Sequence, residues 1–194
     1  DTEKYGNPYG DLSAFDKKWN FINAGANIEY SPSKYTKIYS RFTLLNREPT
    51  RSDMFGGEEF YNGKLFTIIP ETSKDLEVGF DVSDDKITLN FNLFHMWFDN
   101  ELVLNGEPGA NGLPRHENAL NSFRRGIELS MNWNMVSKLY FTFNGSMSQN
   151  KVESATFGNK NHILSPSQTL FTELAWKDYN WEIGASYSYR GKMY

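Results

Sequence analysis

The feature that most restricts this chain is a side-chain period of two that recurs along nearly its whole length. From Leu139 to Ser148, Leu139, Phe141, Phe143, Gly145 and Met147 alternate with Tyr140, Thr142, Asn144, Ser146 and Ser148. A strand turns successive side chains to opposite faces, whereas a helix returns to one face every third or fourth residue, so this run is a ribbon with one apolar and one polar face. Ile22, Ala24, Ala26, Ile28 and Tyr30 alternate in the same way with Asn23, Gly25, Asn27 and Glu29, and Ile38, Phe42 and Leu44 with Lys37, Tyr39, Arg41 and Thr43. Leu76, Val78, Phe80 and Val82 oppose the acidic set Asp75, Glu77 and Asp81. The runs Ile87 to Leu93, Ile127 to Trp133 and Trp181 to Tyr189 repeat the pattern, while Gln168 to Lys177 admits two facings, one led by Leu170, Leu174 and Trp176, the other by Phe171 and Ala175. About eight antiparallel strands are predicted.

The connections fall into two classes that take turns. Short ones, near 31–34, 84–85, 134–137 and 178–180, are built of turn-forming residues; long Gly-, Asn- and Pro-rich ones cover 1–18, 47–70, 99–117 and 151–166. Long loops gathered at one end and tight turns at the other are the pattern of an outer-membrane barrel, with the long loops outside the cell. Aromatics support this. They make up 16% of the chain and cluster at strand ends, with Tyr30, Tyr35, Trp133, Trp176, Tyr179 and Trp181 beside the short turns and Trp19, Trp97, Phe98, Tyr187 and Tyr189 toward the long loops. Two interfacial girdles are expected, separated by the roughly 9 to 11 residues that a tilted spanning strand needs. No stretch approaches the about 18 uninterrupted apolar residues of a membrane helix.

A net charge of −4 leaves no clustered Lys/Arg face, which excludes a nucleic-acid partner. The absence of cysteine removes disulfides and thiolate chemistry. The start, Asp1 to Lys4, has no signal-peptide pattern. Under the facing assignment both chain ends emerge on the long-loop side, so further strands are expected on either side.

Several segments resemble, in order, the TonB-dependent receptors of the Gram-negative outer membrane. They are Asn46-Arg47-Glu48-Pro49-Thr50-Arg51-Ser52-Asp53, Pro70-Glu71 with Glu77-Val78-Gly79, Phe94-His95-Met96-Trp97-Phe98-Asp99-Asn100-Glu101-Leu102-Val103 with Gly106, Asn118 with Ser122 and Arg125 to Leu129, then Ser165-Pro166 and Tyr189-Arg190-Gly191-Lys192-Met193-Tyr194. The series spans roughly residues 20 to 194. The resemblance implies an all-β, antiparallel up-and-down transmembrane barrel of about 22 strands, of which this chain supplies about eight, with a plug domain that lies outside this sequence. It further implies active import of a bulky nutrient, a ferric siderophore foremost, energised by TonB through that plug, with bilayer lipid and lipopolysaccharide as surroundings.

No enzymatic role and no cofactor are expected. His95, His116 and His162 lack the short spacing that fixes two metal ligands on one element, so no protein-held metal is expected. Ligand capture is assigned to Trp19, Phe55, Phe60, Tyr61, Arg115, His116 and Phe157 in the long loops, where rings and charge are available. Lys37, Arg41, Asp75, Glu77, Asp81 and Glu128 are expected on the inner, plug-facing wall, with Asp75, Glu77 and Asp81 either pairing with Lys37, Arg41 or Arg51 across the lumen or bonding to the plug, holding it while allowing release. Two other readings are a non-transport barrel, such as an adhesin or porin, and a soluble carbohydrate-binding β-sandwich.

Overall fold

The computed structural model describes residues 18–50, 53–54, 68–108, 112, 114–163 and 165–193. Eleven strands occur in chain order: β1 (Ala24–Ser33), β2 (Thr36–Arg47), β3 (Glu71–Ser83), β4 (Ile87–Asp99), β5 (Leu102–Pro108), β6 (Pro114–Asn118), β7 (Asn121–Val136), β8 (Leu139–Ser154), β9 (Gly158–Asn161), β10 (Gln168–Asp178) and β11 (Trp181–Arg190). Eight of them form one antiparallel meander in the order β1-β2-β3-β4-β7-β8-β10-β11. β9 pairs with the far end of β8, and β5 and β6 make a separate two-stranded hairpin.

Register converts the alternation into two continuous faces. Tyr30 faces Ile38, Ile38 faces Phe80, Phe80 faces Phe91, Phe91 faces Leu129 and Leu129 faces Gly145, so apolar residues form rows across the sheet. Leu174 and Trp176 pair with Ala185 and Ile183, which settles the ambiguous tenth strand in favour of the Leu170/Leu174/Trp176 face. Among the described residues no second sheet covers this apolar face. Ile28 is 74% and Ile183 63% exposed, an arrangement that water would penalise and a bilayer would not. The described core is correspondingly small: Val103, Ala119 and Val152, with Phe157 against them, pack under the long connections.

Consecutive strands of the meander are joined alternately by tight turns and long excursions, so all four tight turns lie at one end of the sheet. Asp84 shows how such a turn is fixed: its Oδ1 accepts hydrogen bonds from the backbone N–H groups of Lys86 (2.7 Å) and Ile87 (2.8 Å). Two turns sit further along the chain than the sequence suggested. β1 continues through Pro32 to Ser33 behind an irregularity after Tyr30, the kind of site where a strand tolerates proline. β7 runs on to Val136, and Lys138 takes a left-handed conformation (φ 71°) in the turn. The β5–β6 hairpin and β9 lie inside connections read as plain loops. Phe98, assigned to a girdle, is instead buried on the polar face beneath the Arg124 guanidinium, 4.5 Å from its ring centre.

Candidate functional site: the polar wall and its mouth

The face opposite the apolar one carries Lys37, Arg41, Asp75, Glu77, Asp81 and Glu128, as the alternation requires. Their pairing is not across a lumen but between neighbouring strands: Arg41 meets Glu77 at 3.4 Å, and Lys37 meets Asp81 at 3.2 Å and Glu29 at 3.8 Å. The reason is register, which places Arg41 directly opposite Glu77 and Lys37 opposite Asp81. Arg51 lies outside the described residues. Asn90 donates to Asp81, while Asp75 keeps one buried carboxylate oxygen without a hydrogen-bond partner among the described residues. Glu128 is exposed on the same face, opposite Asn92 and Ser146.

Two glycines shape this wall. The Tyr39 side chain lies across Gly79, where a Cβ would come within 2.5 Å of its hydroxyl oxygen, and that hydroxyl donates to Asn92 at 3.3 Å. The Phe94 ring lies across Gly126 in the same manner, 2.9 Å from the position a Cβ would occupy. The missing side chains let rings lie flat along the strands.

Above the wall, at the long-connection end, polar side chains pin the excursions to the sheet. Glu71 accepts from the Leu102 backbone N–H (2.9 Å) and from Arg47 (3.2 Å). Asn118 donates to the carbonyls of Ile69 (2.9 Å) and Asn100 (2.8 Å) and accepts from the Ile69 N–H (2.8 Å). Asn100 is left-handed (φ 58°), which an Asn tolerates. Glu117 accepts from both Ser154 and Thr156, tying β6 to the β8–β9 turn.

The most concentrated cluster is one that sequence reasoning did not assemble. Glu101, 5% exposed, accepts hydrogen bonds from Ser122 and Arg124, and His162 Nε2 stands 3.6 Å from the carboxylate and 3.1 Å from the Arg124 guanidinium. His162 Nδ1 is 3.0 Å from the Ile163 carbonyl oxygen, which fixes a proton on that nitrogen. Burial works against the Glu101 charge, but the close approach of His162, the hydrogen bond from Ser122 and the Arg124 charge together hold its carboxyl below the usual range. His162 is raised, chiefly by the Glu101 carboxylate beside it, against burial and the Arg124 charge. The available signal was the even spacing of Ser122 and Arg124, which places both on the polar face beside a loop acid.

Of the proposed capture residues, Phe55, Phe60 and Tyr61 lie outside the described residues. Arg115 pairs with Glu107 at 3.2 Å across the β5–β6 hairpin, and His116 Nδ1 is 3.5 Å from Asp53. Trp19 precedes β1, and Phe157 packs on Val103, Ala119 and Val152.

The whole chain, residues 1–194, matches the family model described as TonB dependent receptor-like, beta-barrel. No curated protein sequence matches. Among solved structures, the copper transporter OprC superposes with a TM-score of 0.70 at 15% identity, over 84% of this chain and 25% of OprC. The FrpB iron transporter from Neisseria meningitidis gives 0.60 at 18% identity, over 84% and 25% of the two chains. The alcaligin outer membrane receptor FauA from Bordetella pertussis gives 0.62 at 13%, over 90% and 30%. This chain thus spans about a quarter to a third of such receptors, and these likenesses bear on fold alone. The family model, matched from the first residue to the last, does more: the chain belongs to the TonB-dependent receptors and forms part of their β-barrel.

Proposed function

We propose that the full receptor imports a bulky, scarce nutrient, a ferric siderophore complex foremost, across a Gram-negative outer membrane by TonB-dependent transport. The observation that carries this reading is the family match along all 194 residues. The similar solved structures include a copper transporter, an iron transporter and an alcaligin receptor, which supports a scarce metal or its complex as the substrate class. In this reading the apolar face contacts lipid, the wall of Lys37, Arg41, Asp75, Glu77, Asp81 and Glu128 lines the lumen against a plug, and the long-connection end is extracellular. Asp75 fits a plug contact, since its unpartnered carboxylate oxygen can accept a hydrogen bond. Trp19, Phe55, Phe60, Tyr61, Arg115, His116 and Phe157 remain the proposed source of ligand contacts, with His116 set opposite Leu104 in the β5–β6 hairpin.

The test is uptake of a panel of iron-55-labelled siderophores by cells with the complete gene deleted, restored, or restored in a strain without TonB. Uptake that returns with the gene and vanishes without TonB is the expected result. Restoration on cobalamin or a glycan but on no iron source moves the substrate, and TonB-independent restoration removes the mechanism.

A further inference from the structure

Asparagine followed by glycine is the dipeptide whose own backbone can attack its side chain, because glycine leaves the next peptide nitrogen unhindered and free to rotate. Two such pairs lie wholly among the described residues, Asn105-Gly106 in β5 and Asn144-Gly145 in β8; Asn62-Gly63 and Asn111-Gly112 do not. The fold treats the two in opposite ways. Gly145 is paired with Leu129 on one side and Leu170 on the other, and Asn144 with Ser130 and Phe171. Ladder hydrogen bonds on both sides therefore hold that peptide extended, and the Phe143 ring stands 3.0 Å from the position of a Gly145 Cβ.

Asn105-Gly106 sits in a bulge. Leu104 pairs with His116 and Pro108 with Pro114, so residues 105–107 stand against Arg115 alone. Gly106 is exposed and left-handed (φ 85°), with nothing within 4 Å of the position a Cβ would occupy. The Asn105 side chain is folded back along its own backbone, its Oδ1 accepting a hydrogen bond from the Glu107 N–H at 2.9 Å. That turn sets the side-chain amide carbon beside the intervening Gly106 nitrogen. The donated hydrogen bond also polarises the side-chain carbonyl and supports the negative oxygen that an attack on it creates.

We propose that Asn105-Gly106 is a self-modification site, at which the folded hairpin converts its own amide to a carboxylate. The Gly106 nitrogen attacks Asn105 Cγ; an N–Cγ bond forms, the Cγ–Nδ2 bond breaks, and the Gly106 proton leaves with the amide group as ammonia. Water then opens the cyclic imide at one carbonyl or the other, giving aspartate or isoaspartate. No electron is transferred, and solvent water is the co-reactant. The new carboxylate stands in the bulge opposite Arg115, whose guanidinium already pairs with Glu107 at 3.2 Å, and the isoaspartate form lengthens the β5 backbone by one methylene. The hairpin thereby gains acid beside Arg115 as the receptor ages. The inference does not rest on what the receptor imports.

The experiment incubates the purified full-length receptor, in neutral detergent at mildly alkaline pH, in heavy-oxygen water. Peptides from an acidic digest are then followed by mass spectrometry, with electron-transfer fragments separating isoaspartate from aspartate. Heavy oxygen is expected to enter at residue 105 at least about tenfold faster than at 144 in the folded receptor, and the two rates to converge once it is unfolded in guanidinium. Gly106→Ala, which keeps Asn105 but hinders the attacking nitrogen, should slow entry at 105 and leave 144 unchanged. Equal entry at both pairs of the folded receptor, or none at 105, overturns the proposal, as does an undiminished rate in a Gly106→Ala receptor whose heat-modifiable mobility shows a folded barrel. If that variant fails to fold, the comparison of folded and unfolded wild type still decides. Because the readout is a chemical change at one residue, its failure is separable from a failure of TonB-dependent uptake.

Discussion

Gly126 is closed to any side chain on two sides, since a Cβ there would meet the Met147 carbonyl oxygen at 2.3 Å as well as the Phe94 ring. Ring and backbone cannot both yield, so Gly126→Val should destabilise the folded receptor by about 1 to 3 kcal/mol, read from urea unfolding in detergent or lipid. Phe94→Ala in the same background should recover part of that loss, because it removes the flexible half of the clash. The Glu101–His162 tie gives a second expectation at this scale. The lowered Glu101 carboxyl contributes stability above its unfolded value, and that contribution is lost as pH falls through the folded one; the raised His162 contributes below its ordinary value of 6.5, and that contribution is lost as pH rises through the folded one. The segment around His162 should therefore be most protected at mildly acidic pH and loosen on the alkaline side. Hydrogen exchange followed by peptide mass spectrometry checks this, and His162→Gln should remove the pH dependence; protection that rises above neutrality would contradict it.

At the level of strands, adjacent residues of β4 face opposite media. Leu89 belongs to the apolar row between Val82 and Met131, whereas Asn90 sits on the polar wall, donating to Asp81. Leu89→Arg should cost about 2 to 4 kcal/mol near mid-bilayer, and Asn90→Arg, which adds a cation beside a carboxylate, should be mild. Equal penalties in a folding titration into lipid would undo the facing assignment. Strands such as β8 were legible because their alternation runs unbroken through Leu139 to Met147, and the tight turns because Asp84 and Asp178 sit where turns need them. β5, β6 and β9 were not: Leu102 to Pro108 is interrupted by Gly106, and Gly158 to Asn161 has no apolar residue to mark a face. Charge pairing was also misplaced, because facing follows from spacing alone while partners depend on register, and nothing in the spacing of Lys37 and Asp81 says they are opposite one another. The Glu101, Arg124 and His162 cluster joins three separate segments and was hidden for the same reason.

For the molecule as a whole, the meander closes β4 onto β7 directly, so the β5–β6 hairpin is an attachment to the barrel and not part of its wall. Replacing 103–117 with a short Gly-Ser linker in the full receptor should leave heat-modifiable folding intact while weakening ligand capture at least about tenfold, as one or two buried contacts are lost. Loss of folding would mean that the hairpin belongs to the barrel's structural unit. β7 and β8 carry a related consequence. Each has 16 residues, about 53 Å of extended chain, which at a tilt near 45° reaches about 37 Å along the membrane normal against an apolar band of about 25 Å. Their upper thirds therefore reach past such a band as a stiff turret; on the proposed uptake reading, a nutrient would first be met at its parapet, with Glu101, Arg124 and His162 set into the inner rim.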